Sequence, residues 1–99
     1  MPRIARLLAL AIRVEGLIRQ NVVQDYADVA RLGRVTRARM TKIMNLLNLA
    51  PDIQEQILFL PAIPRLNERA LRPIANRIDW HEQRHLFKEL ISRMDASRG

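Results

Sequence analysis

Between Asp28 and Asp52 the chain carries no acidic residue, while Arg31, Arg34, Arg37, Arg39 and Lys42 all fall there. Like charges repel when they are packed together. A folded segment of this kind therefore has to hold its cations outward and sort its apolar residues to the opposite side. The run DYADVARLGRVTRARMTKIMNLLN, residues 25–48, does this at helical spacing. Asp25 is an N-cap candidate, with Asp28 favourable in the same first turn. Tyr26, Val29 and Ala30 follow at i, i+3 and i+4, one face of a helix. Ala30 is small, as a close helix crossing requires. Gly33 is expected to end this helix in the left-handed conformation of a C-terminal cap. Val35 is expected to pack inward from the turn, and Thr36 to cap the next helix.

That second helix, 36–48, divides cleanly at 100° per residue. Met40, Ile43 and Leu47 lie on one side with Met44 beside them, and are read as core packing, not as sulfur ligands. Arg37, Ala38, Thr41, Lys42 and Asn45 lie on the other. Guanidinium, hydroxyl, ammonium and amide groups are the ones that pair with phosphates and base edges. An ordinary solvated face is the bland alternative. The coincidence of an acid-free window, a turn glycine and this polar chemistry favours a helix-turn-helix whose second helix enters the DNA major groove. Arg37, Thr41, Lys42 and Asn45 are the base-edge candidates. Arg34 and Arg39 are phosphate candidates, with Arg31 as another.

The run VARLGRVTRARMTKIMNLLNLAPDIQEQILFLP resembles the helix-turn-helix domain of the ParB and KorB plasmid-partition proteins. Shared features are a short Leu-Ala helix, a Gly turn, a Ser/Thr-started recognition helix ending in two leucines, and a Pro-started helix. The later LNERALRPIANRIDWHEQRHLFKELI is similar to the helices that follow, so the resemblance spans residues 25–92. It implies that Thr36, Arg37, Ala38, Thr41 and Lys42 face the bases. The chain also looks like small proteins encoded beside site-specific recombinases on bacterial mobile elements. Two departures stand out. Ala30 to Gly33 is one residue shorter than the common alanine-to-glycine spacing. The family's nucleotide-binding domain, with its arginine-rich motif, has no counterpart here, so CTP hydrolysis and clamp sliding are not implied.

Ninety-nine residues suit one domain. Nearly half the residues are hydrophobic, only four are aromatic, and leucine, isoleucine and alanine dominate. That composition predicts an all-α bundle of five or six short helices. The net charge of +7 is unevenly placed. Residues 1–50 hold nine Arg/Lys against three Asp/Glu, and residues 51–99 hold eight against seven. The basic character thus belongs to the half with the proposed reading helix, and a polyanionic partner follows. Only Lys42 and Lys88 are lysine; arginine dominance favours bidentate contacts. With no cysteine, disulfides and thiolate metal sites are excluded and a cytoplasmic setting is expected. The longest apolar run, Leu7 to Ile12, is far short of a membrane span.

Supporting helices are expected over 2–20, 51–60 and 67–94. In the first, Ile4, Leu7, Ala11, Val14 and Ile18 form an apolar stripe, with Leu10 and Leu17 alongside as a possible contact to a second copy. A basic amphipathic helix can also lie on a membrane surface, but the two-helix motif needs another helix to close its core. Pro51 suits the first position of a helix whose buried face is Ile53, Ile57 and Leu60. Pro61 to Arg65 reads as a stiff connector. Asn67 can cap a short helix, which Pro73 should end or kink near Arg72. Asp79 caps the last helix, with Glu82 as its capping-box partner and Trp80, Phe87, Leu90, Ile91 and Met94 turned inward. His81 to His85 spell H-E-x-x-H, the spacing of zinc proteases. Arg84 puts a cation between the two would-be ligands, and a third ligand and a cleft are lacking, so neither a metal site nor catalysis is expected. No cofactor is implied.

The expected function is sequence-directed binding of duplex DNA, as a transcriptional regulator or an accessory protein of partition or recombination. One helix pair reads few base pairs, so two copies, a homodimer, would serve one site. The alternative is a protein-interaction module serving a recombinase, partition or replication partner, in which the basic face only aids solubility.

Overall fold

The computed structural model describes residues 3–59 and 66–96. They form six α-helices and one 3₁₀ turn: α1 (Arg3–Arg19), α2 (Tyr26–Gly33), α3 (Arg37–Met44), the 3₁₀ turn Asn45–Asn48, α4 (Pro51–Phe59), α5 (Glu68–Ala75) and α6 (Trp80–Ala96). No strand occurs among the described residues. This is the small all-α bundle that composition and periodicity predict. Leu60 and the Pro61–Arg65 connector lie outside the described residues.

α1 runs through the middle of the molecule and touches α3, the 3₁₀ turn and α4. Its buried side is Ile4, Ala5, Leu8, Ala11 and Val14. Leu7 and Ile18, expected in that stripe, are half-buried, Leu17 is half-buried too, and Leu10 is exposed. Two apolar clusters divide α1 between them. The larger joins Ile4 and Leu8 to Leu46, Leu49, Ile53, Ile57, Leu71, Ile74 and Phe87. The smaller joins Ala11 and Val14 to Ala30, Met40, Ile43 and Met44. Leu7 and Leu47 lie against both. Each fully buried leucine or isoleucine contributes about 1.5–3 kcal/mol over an exposed one.

α1 and α2 leave their helices by the same backbone route. After α1, Asn21 is left-handed, with Val22 N–H donating to the Leu17 carbonyl and Asn21 N–H to that of Ile18. After α2, Arg34 is left-handed at φ 57°, with Val35 N–H donating to the Ala30 carbonyl and Arg34 N–H to that of Arg31. These are Schellman caps. The expectation that Gly33 supplies the left-handed residue is therefore corrected. Gly33 is the last residue of α2, its φ is not positive, and a Cβ there would meet nothing within 4 Å. The left-handed residue falls four positions after Ala30, at Arg34. Val35, expected to pack inward, is exposed.

Arg34→Gly should accordingly stabilise the fold by about 0.5–1 kcal/mol, because glycine does not suffer the left-handed clash of Cβ with the carbonyl oxygen. In a domain this size that raises the thermal midpoint by a few degrees. A lowered midpoint would argue against the left-handed turn.

Further departures concern the ends of elements. α3 tightens into 3₁₀ geometry at Asn45, which turns Leu46 into the larger cluster and leaves Leu47 between the two. Pro73 does not end α5. Its ring is on the solvent side, and Leu71, Ile74 and Ala75 are buried on the other, so the helix forgoes one hydrogen bond and continues to Ala75. Trp80 is exposed, not inward. The interior position at that end of α6 belongs to Gln83.

Candidate nucleic-acid interface

The geometry of α3 is fixed by its two ends and its inner face. Thr36 caps it, its Oγ1 accepting from Arg39 N–H at 3.0 Å. Asp25 caps α2 in the same way, accepting from Asp28 N–H at 3.0 Å. Met40, Ile43 and Met44 are buried against α1 and α2. That anchoring leaves Arg34, Thr36, Arg37, Ala38, Thr41, Lys42 and Asn45 exposed. All seven are expected site residues, and the structure brings them to one edge of the molecule. Asn45 sits at the first position of the 3₁₀ turn, one step beyond α3. Thr41 Oγ1 donates to the Arg37 carbonyl at 3.0 Å, so its oxygen remains as an acceptor for a ligand. Two turns of α-helix are about 12 Å long and about 10–12 Å across, which the major groove of B-DNA, about 12 Å wide, admits.

The five cations of the acid-free window separate into two groups. Arg31 is ion-paired with Asp28 on its own helix. Arg39, expected to contact phosphate, is instead tied to α5: Nη1 donates to Glu68 Oε1 at 2.8 Å and Oε2 at 2.7 Å. This corrects its assignment. Arg39 is only a third exposed and Glu68 about a tenth, so the pair is a structural link between α3 and α5. Arg72 adds a third hydrogen bond to the same carboxylate at 3.3 Å. Burial alone would push the Glu68 carboxyl up; the hydrogen bonds and charges of Arg39 and Arg72 outweigh it and hold it below its ordinary value. Arg34, Arg37 and Lys42 make no ion pair among the described residues. They are the free charges of the face.

The frame behind this face depends on a residue that the sequence reading passed over. Gln83 is the only buried polar side chain among the described residues. Its Oε1 accepts from Ala50 N–H at 2.7 Å, and its Nε2 donates to the carbonyls of Asn48 at 2.9 Å and Arg77 at 2.8 Å. One side chain thus closes the junction of the 3₁₀ turn, α4 and the α5–α6 link. A signal for it exists: Gln83, Phe87, Leu90 and Met94 follow a 4-3-4 spacing, a polar residue on an apolar stripe. Gln54 reinforces the same junction, donating to the carbonyls of Leu47 and Leu49 at 3.2 and 2.8 Å.

Of the H-E-x-x-H residues, Glu82 and His85 have other partners. His81 and His85 are exposed, and His85 Nε2 lies 3.1 Å from Glu89. Arg84 Nε donates to both oxygens of Asp52, at 3.0 and 2.9 Å, which lowers the Asp52 pKa and ties α6 to the start of α4. Glu82, expected as a capping-box partner of Asp79, faces Arg77 at 3.6 Å. Asp79 does cap α6, accepting from His81 N–H at 2.9 Å. Among the described residues no group of three or more His, Asp or Glu side chains is placed to hold a metal ion, and no helix is long and apolar enough to cross a membrane. Comparison with protein-family models, with curated proteins and with solved structures finds no match for the chain.

Proposed function

We propose that the chain binds duplex DNA in a sequence-directed way, with α2 and α3 acting as a helix-turn-helix and α3 lying in the major groove. The observation that supports this most is the division of charge around α3. Arg39, on the flank of α3, and Arg31, on α2, have carboxylate partners. The cations on the outward edge, Arg34, Arg37 and Lys42, have none among the described residues. Beside Thr41 and Asn45, those three exposed cations present donors for phosphate and for base edges on one short stretch. In this reading Arg37, Thr41, Lys42 and Asn45 meet base edges and Arg34 meets phosphate. The chain would act in the cytoplasm, as a transcriptional regulator or as an accessory protein of partition or recombination, with two copies on one site.

Selection of bound duplexes from a random pool, followed by titration of the winner at several salt concentrations, tests the reading. Each phosphate neutralised contributes about 0.9 to the slope of log K against log salt. A slope steeper than about −2 and one enriched sequence are expected. Salt-insensitive or undetectable binding would reject DNA as the partner and favour a protein-interaction module.

A further inference from the structure

A second cationic surface lies beside α3, on the flank away from α2. A groove of about 360 Å³ runs between the start of α1, α3 and the first turns of α5. Its polar lining is Arg3, Arg39, Asn67, Glu68, Arg69 and Arg72. The three elements are distant in sequence, so no local run of charge announces it. Four guanidinium groups surround one carboxylate. Glu68 is mostly covered and already accepts from both Arg39 and Arg72, so it can neutralise only one unit of their charge. Arg3 and Arg69 are exposed and make no ion pair among the described residues. The groove therefore carries a surplus of about three positive charges at its rim, counting one carboxylate against four guanidinium groups.

We infer that this groove receives a phosphate of the DNA backbone, held by Arg3 and Arg69 and supported by Arg72, on the strand that borders the major groove read by α3. The inference rests on the DNA reading above. Arg39 supplies the geometric connection. It belongs to α3, where at 100° per residue it stands between the outward face and the buried one. A strand lining the groove that α3 enters passes over one such flank. Glu68 holds Arg39 and Arg72 in place beside that path, which removes part of the ordering cost that free arginine side chains would incur. Guanidinium forks suit phosphodiester oxygens, which they can engage in pairs.

The site should contribute affinity without sequence preference. Arg3→Ala and Arg69→Ala should each weaken binding several-fold, and equally on the selected duplex and on a scrambled one. Each should also make the salt slope shallower by about 0.9, and the double variant by about twice that. Arg3→Lys and Arg69→Lys should restore the slope, since the charge is kept. Both positions are exposed and unpaired, so circular dichroism and thermal midpoint serve as a check that the fold persists. Unchanged slopes in folded variants, beside a wild-type chain that binds and an Arg37→Ala variant that does not bind as well, would overturn this inference alone. A wild-type chain with no salt-dependent DNA binding would overturn the DNA reading, and this site with it.

Discussion

Gln83→Leu should lower the free energy of unfolding by about 2–5 kcal/mol. Leucine matches the volume of glutamine but returns none of its three hydrogen bonds. The Ala50 N–H suffers most. Ala50 and Gln83 are both fully buried, so water does not replace the lost acceptor, and a buried donor left unpaired costs about 1–3 kcal/mol by itself. The Asn48 and Arg77 carbonyls belong to exposed residues and regain part of the loss from solvent. Because stability of the whole domain is on the order of 5–15 kcal/mol, the change should be plain in urea denaturation as a lower midpoint. Gln83→Glu separates the two halves of the network. Its carboxylate can still accept from Ala50 N–H, but it faces two carbonyl oxygens with nothing to donate. That variant should lose stability as pH rises above about 4, where the unfolded chain ionises freely while the buried side chain, facing two carbonyl oxygens, resists ionisation. A Gln83→Leu protein as stable as the parent would show that the amide does not close the junction.

Arg37→Ala should weaken binding to the selected duplex by about 1–3 kcal/mol, roughly 5- to 150-fold, and relax preference at one base position. Arg37 opens α3, is exposed, and has no carboxylate partner among the described residues, so removing it leaves the fold alone. A mobility-shift titration against the selected site and against single-base variants of it makes the measurement. Loss confined to the preferred site is the signature of base reading. Equal loss on all duplexes would reassign Arg37 to phosphate, and unchanged affinity would remove it from the interface. Arg39 offers the contrast. Its substitution strips a partly buried partner from Glu68 and acts first on the packing of α3 against α5.

How much of this was legible in the sequence depended on the range of the interaction concerned. Asp25, Thr36 and Asn67 each cap the helix they precede, because a cap is a bond between a side chain and a backbone three residues on. The outward set on α3 was legible for a similar reason, since one helical period sorts it. Arg39 was misread because its partner lies 29 residues away on α5, and nothing near Arg39 hints at Glu68. Gly33 was misread as the left-handed residue because glycine is the usual one there, whereas the cap hydrogen bonds to Ala30 and Arg31 put Arg34 in that place. Trp80 and Val35 were placed inward on hydrophobicity alone. Whether an apolar residue is covered depends on where neighbouring helices stop, and periodicity carries no information about that. The arginine-rimmed groove assembles three distant segments and could appear only once they were packed.

The interior is split into two clusters that share α1 as a common wall, with Leu7 and Leu47 as mortar. The smaller cluster holds only the undersides of α2 and α3. Rewriting the exposed positions from Arg34 to Asn45 would therefore leave the larger one untouched. Such a layout is modular: apart from the cap Thr36 and the left-handed Arg34, the exposed positions of one short stretch can be varied while the larger cluster keeps its packing.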